Sequence, residues 1–393
     1  MKAPSSSCPL FLQLLRYCIG TADAVSAALT PDRVREVFDM AGRQSLTAVM
    51  LEGVKRLEVE GDDGTMAEVM MDWCSEGLVI SRTNERIDGH VAAVVRNFRK
   101  SGFECCLLKG QGNALMYPDG RLRTPGDIDL WLRTAAPAGG STAAEREAAV
   151  RQDTRRIISY IRRFMPAAKA IYHHIECPAY QGTEVEIHYR PHFMFNFRHN
   201  QRLQEFFFVH ADAQFAHEVE LGGGRVAVPT ARFNAVFQLS HIFQHLFKEG
   251  IGLRQLLDYY YLLTASEDLV HGSKAEWKGL FARLGLGGIA GAVMWILTEE
   301  FGMDSRYALV EPDARRGRLV LDEVLRGGNF GKYHVRRLGN GVVGRNLGRL
   351  IRDVRLVRYF PVEALSEPVF RLWHAAWRWR HSPSRLPGER RLK

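Results

Sequence analysis

No apolar run in this chain approaches the roughly 20 residues that a membrane-spanning helix needs, so no transmembrane segment is expected. Cysteine is sparse. Cys8, Cys18, Cys74, Cys105, Cys106 and Cys177 show no CxxC spacing, which argues against zinc–thiolate sites and a disulfide framework and for thiols in a reducing compartment. Any metal is therefore expected to be held by oxygen. The N-terminus, MKAPSSSCPLFLQLLRYCIG, lacks a continuous signal-peptide core because Gln13 and Arg16 interrupt its apolar stretch, and the expected location is cytoplasmic. Internal repeats and low-complexity tracts are missing too.

What is present is ordinary globular material: 393 residues, 46% hydrophobic and 25% charged, enough for two or three subdomains sharing a cleft. The net charge of +9 is uneven, with 15 Lys and Arg against 4 Asp and Glu in residues 331–393. Such a basic tail suits an anionic partner such as nucleic acid, phosphates or a membrane surface, and it equally suits a solvated helix face.

From Pro31 to about Lys100 apolar residues recur at helical spacing, as in Met66, Val69, Met70 and Trp73 and again in Val91, Val94, Val95 and Phe98. The period changes at Gly102. FECCLL reads as a strand, QGNALMY as a short helix, PDGRLRTPG as turns and DIDLWL as a second strand. A helix is expected from about Ala143 to Phe164. AIYHHIECPAY and EVEIHYR then form a hairpin across a three-residue loop, Gln181-Gly182-Thr183, and RVAVP is a last short strand. Helical periodicity resumes beyond Thr230. The expected fold is thus α+β, with helical regions over 1–100 and 231–393 around a mixed-sheet core at 101–230.

Because side chains alternate along a strand, Asp127 and Asp129 project from one face about 7 Å apart, with Ile128 and Leu130 on the other. Two carboxylates so placed can reach divalent ions held roughly 3.5–4 Å apart for in-line displacement at phosphorus, a task suited to Mg²⁺. A lone DxD is weak evidence, since Asp at a strand start often serves a turn. EVEIHYR repeats the alternation and, paired beside DIDLWL, would add Glu186 as a third carboxylate that accepts a proton or holds the second ion, with His188 on the same face. Glu184, next to the turn, is expected to be exposed. Lys109-Gly110 sits where a strand hands over to a helix and could face phosphates, and Arg123 is a candidate bidentate phosphate clamp.

The run LLKGQGNALMYPDGRLRTPGDIDLWL, together with Glu186-Ile187-His188, resembles the signature of the nucleotidyltransferase superfamily, in particular a bacterial subgroup with the pattern KG, Tyr-Pro, Arg, DIDL and a later E-h-H strand. The likeness extends from about 100 to 380. The superfamily usually opens its helix with Gly-Ser or Gly-Gly, where this chain has Lys109-Gly110-Gln111-Gly112. The resemblance implies a mixed α/β core, two-metal catalysis with Mg²⁺ (or Mn²⁺) on Asp127, Asp129 and Glu186, and transfer of a nucleoside monophosphate from an NTP, ATP among the choices, to an unidentified hydroxyl acceptor with release of pyrophosphate. His241 and His245, four apart on one helix face, and Arg254 are candidate pocket-lining residues; with Asp258 the histidines also admit a zinc reading, weakened by the missing HExxH glutamate. A DxD sugar-nucleotide glycosyltransferase, an aspartyl phosphatase and a non-catalytic nucleotide- or nucleic-acid-binding module remain open on the residues alone.

Overall fold

The computed structural model describes residues 8–26, 28–57, 64–134, 142–248, 250–329 and 350–381, so residues 331–349 and 382–393 of the basic tail lie outside the described residues. Four helices come first: α1 (Cys8–Cys18), α2 (Pro31–Gln44), α3 (Thr47–Val54) and α4 (Thr65–Lys100). At 1.5 Å per residue, the 36 residues of α4 span about 54 Å. Its two halves serve different partners. Val69 and Trp73 pack with α1–α3, whereas Ile87, Val91, Val94, Val95 and Phe98 lie against the sheet.

The sheet is built from β1 (Phe103–Leu107), β2 (Ile128–Thr134), β3 (His174–Tyr180), β4 (Thr183–His188), β5 (Glu218–Leu221) and β6 (Gly224–Ala227), with α5 (Gln111–Ala114), α6 (Ala143–Arg162), α7 (Phe197–Val209) and α8 (Ala211–Ala216) between them. Strand order is β3-β4-β2-β1-β6-β5. The β2–β4 and β1–β6 pairs are parallel and the other three antiparallel, so the sheet is mixed. A capping box explains where α6 begins: Thr142 accepts from the Glu145 amide while the Glu145 side chain accepts from the Thr142 amide.

Alternation along the strands sorts the sheet into two faces. Cys105, Leu107, Ile128, Leu130, Ile175, Val185 and Ile187 point toward α4 and α6. Cys106 and Trp131 point the other way, into the aromatic layer of Phe206, Phe207 and Phe233, the last from α9 (Ala231–Lys248). Each fully buried aliphatic side chain contributes about 1.5–3 kcal/mol, so the first face alone is a substantial core. Beyond α9 the described residues are mostly helical, from α10 (Leu253–Ala265) to a last helix at Pro361–His381.

The α+β reading holds, and several local expectations change. The β3–β4 turn has two residues, not three: Gln181 and Gly182 both carry positive φ, the geometry that matches strand twist, and Thr183 already belongs to β4. The register of β3 shifts between Cys177 and Tyr180, around Pro178, which lacks a ladder donor and sits on an edge strand. Asp127 precedes β2 and does not begin it. Helices α7 and α8 and the four-residue β5 add to the sequence expectation.

Candidate active site

Parallel pairing of β2 with β4 sets Asp129 directly opposite Glu186 and Trp131 opposite His188. These side chains occupy the face away from α4 and α6. Asp129 is fully buried. Its Oδ1 lies 2.9 Å from His188 Nε2 and 3.2 Å from Lys109 Nζ, while its Oδ2 has no hydrogen-bond partner. Glu186 Oε2 is 3.6 Å from His188 Nε2 and 3.2 Å from His174 Nδ1. Lys109 Nζ also stands 4.0 Å from Asp127 Oδ2, and Asp127 and Glu186 are each about a third exposed, at 34% and 30% of the side chain.

Burial and the neighbouring Asp127 push the Asp129 carboxyl up to about 6, against the pull of Lys109 and His188. Burial also opposes charge on His188, but its contacts with Asp129 and Glu186 prevail and raise it to about 9. Lys109 behaves alike: burial disfavours its ammonium, and the carboxylates of Asp127, Asp129 and Glu186 more than restore it. Burial pushes the Glu186 carboxyl up, yet His188, His174 and Lys109 together hold it well below the usual range. The site therefore carries three carboxylates neutralised in part by one ammonium and one imidazolium.

Gly110 follows Lys109 with φ +68°, and a Cβ there would stand 3.1 Å from the Asp127 carbonyl oxygen. Glycine is what allows β1 to turn into α5 so close to the acidic loop. The same loop is held from α4, where Asn84 Nδ2 donates at 2.8 Å to the carbonyls of Arg121 and Arg123.

A cavity of about 40 Å³ opens beside these groups, lined among others by Lys109, Gly110, Asp127, His241, Arg254 and Asp258. His241 Nε2 accepts from Lys109 Nζ at 3.4 Å; burial, followed by the nearby His245 and Lys109, holds its pKa well below the usual value. His245 stacks on His241 at 4.2 Å between ring centroids and is not part of the cavity lining. Arg254 Nη1 donates to the Thr124 carbonyl at 3.0 Å.

Arg123 is placed differently from a free phosphate clamp. Its Nε and one terminal nitrogen each lie 2.8 Å from the two oxygens of Asp258, which also accept from Tyr117 (2.7 Å) and Asn113 (3.2 Å). Asp258 is thereby committed to Arg123, away from a zinc site with His241 and His245. Arg123, Tyr117 and Asn113 tie the loop before β2 and helix α5 to α10.

Sequence reasoning missed His173, His174 and His192. Ring contacts run from His174 to His173 (4.5 Å), His173 to His192 (5.6 Å), His192 to His241 (5.2 Å) and on to His245, forming a ribbon of imidazoles behind the carboxylates. The doublet His173-His174, one hairpin away from His188, was the signal available.

None of the curated proteins and none of the solved structures compared with the chain matches it. A family model does: residues 30–299 match the family described as uncharacterised nucleotidyltransferase, a span that takes in α2–α4, the whole sheet and α9–α10 and stops short of the C-terminal helix and basic tail. The match covers more than half of the sequence, and with the acidic, lysine-bearing sheet face at its centre the chain belongs to this nucleotidyltransferase family.

Proposed function

We propose that the protein transfers a nucleoside monophosphate from an NTP to a hydroxyl-bearing acceptor, releasing pyrophosphate, at the face formed by Asp127, Asp129 and Glu186. The observation that carries this reading is the cross-strand register that sets Asp129 opposite Glu186, with Lys109, which contacts Asp129 at 3.2 Å, and Asp127 both lining the adjoining cavity. The donor set fits a hard cation. It is made of carboxylate oxygens, and Asp129 Oδ2 is buried without a partner, which is costly unless something else satisfies it. Asp127, Asp129 and Glu186 would hold Mg²⁺, which when bound supplies charge stabilisation to the phosphates and the attacking oxygen.

The chain's own residues do the rest. His188 fixes the Asp129 carboxylate through its 2.9 Å hydrogen bond, and Lys109 supplies a mobile positive charge at the cavity floor that can move from the carboxylates onto incoming phosphate oxygens. Of its two expected roles, Glu186 suits ion holding better than proton acceptance: it is partly exposed, and its neighbours hold its carboxyl well below the usual range, which keeps it ionised and makes it a weak base. Arg123 acts through Asp258 as a positioning residue that holds the loop carrying Asp127.

The test is incubation of the full chain with each labelled NTP, Mg²⁺ and a cell extract, with thermal melting in parallel. NTP and Mg²⁺ together should raise the melting temperature and label one class of acceptor, and Asp129→Asn should lose both effects. Retention of both by Asp129→Asn would overturn the reading, as would binding of nucleic acid with steep salt dependence and no turnover.

A further inference from the structure

We propose that His173, His174 and His188 form a second cation site, adjoining the carboxylates but different in chemistry, that takes a borderline-soft divalent ion of the Zn²⁺ class. Each of the three offers a ligand atom within 4.8 Å of the others. Backbone pairing brings them together: His174 is the register partner of His188 across the β3–β4 hairpin, and the His173 carbonyl accepts from the amides of Tyr189 (3.0 Å) and Arg190 (3.2 Å), fixing the residue just before β3.

The nitrogens themselves point to a missing ligand. Nδ1 of His173, of His174 and of His188 is buried in each case and makes no hydrogen bond to any of the described residues. One such orphan costs about 1–3 kcal/mol, and three in contact are hard to account for by packing alone. The hydrogen bond at His188 assigns its tautomer. With Nε2–H donated to Asp129 Oδ1 at 2.9 Å, an incoming ion would displace the Nδ1 proton of the imidazolium and find the ring's second lone pair there. A carboxylate behind the ring is the arrangement that orients a metal-binding histidine and raises its basicity.

Glu186 Oε2 lies 3.2 Å from His174 Nδ1 without forming a hydrogen bond, about the separation of two ligands on one tetrahedral ion with bonds near 2.0–2.1 Å. This one oxygen would offer the fourth position, leaving the other carboxylate oxygen for the oxygen-donor site, and the side chain's partial exposure gives an ion a way in from solvent. Imidazole donors select Zn²⁺ and its transition-metal neighbours, whereas Mg²⁺ keeps to oxygen, so the two sites discriminate between cations although they share a wall.

Titration of the metal-stripped full chain with Co²⁺, alone and in excess Mg²⁺, tests the site. The expected result is a tetrahedral Co²⁺ visible spectrum that saturates at one ion per chain, is displaced by Zn²⁺ and is indifferent to Mg²⁺. His173→Gln and His174→Gln should weaken binding beyond the roughly 10–100-fold loss that Asp129→Asn causes as an outer partner. Asp127→Asn should leave the spectrum unchanged while removing nucleotidyl transfer, so failure of this proposal and failure of the proposed function are told apart. If His173→Gln does not fold by circular dichroism, the partly exposed His174 carries the test. Absence of the spectrum, displacement by Mg²⁺, or wild-type affinity in His174→Gln would each overturn the proposal.

Discussion

Asp258 and Asp129 are both buried aspartates, and they are finished differently. Both oxygens of Asp258 are taken, by Arg123, Tyr117 and Asn113, and although burial pushes its carboxyl up, Arg123 outweighs it and holds the group below its ordinary value. Asp129 has one oxygen shared between His188 and Lys109 and the other idle, and its carboxyl rises to about 6. A closed network of this kind fixes backbone, and an open one stores unspent capacity to bind. The difference separates scaffold from site more sharply than burial or charge alone.

The comparison can be broken from either side. Asp129→Asn should lower turnover by on the order of 10³-fold or more, since the metal-dependent stabilisation is several kcal/mol, while its urea midpoint in EDTA stays at or above wild type because the lost charge is one that burial disfavours. Asp258→Asn should do the reverse, costing about 3–5 kcal/mol in urea denaturation by stranding the Arg123 charge, and Arg123→Met combined with Asp258→Leu should recover most of that loss.

A smaller effect sharpens the electrostatics. The folded-state pKa of His188 is about 9 against an unfolded value near 6.5, so its contribution is complete below pH 6.5 and is lost as pH rises through 9. Unfolding free energy in EDTA should fall by about 3 kcal/mol across that window, and His188→Gln should flatten the slope. Gly110→Ala should cost about 1–2 kcal/mol for its left-handed backbone, measured by thermal melting. Glu184→Gln, on the exposed start of β4, should stay within about 0.5 kcal/mol of wild type in stability and leave turnover unchanged.

What the sequence made legible was short-range. Alternation in DIDLWL and EVEIHYR marked the acidic face because a period of two is written into neighbouring residues, and the hydrophobic partners of the same strands marked the buried one. The pairing of Arg123 with Asp258 joins positions 135 apart in the chain, and no local pattern announces it. For the same reason Arg123 read as a free clamp. The histidine ribbon also depends on tertiary approach, since α9 delivers His241 and His245 to a strand pair numbered far earlier. Short elements escaped for another reason: β5 offers only four residues, too few for a periodic signal, and it is held by its hairpin with β6.

Helix α4 has a practical consequence for shortening the protein. A polypeptide starting at residue 101 would keep every carboxylate, lysine and histidine discussed, yet it would uncover the aliphatic side of the sheet where α4 packs, over β1, β5 and β6, and release the Asn84 tether that shapes the loop ahead of β2. Such a fragment should be sticky and catalytically silent for reasons unrelated to chemistry. Trimming is better begun upstream of Thr65.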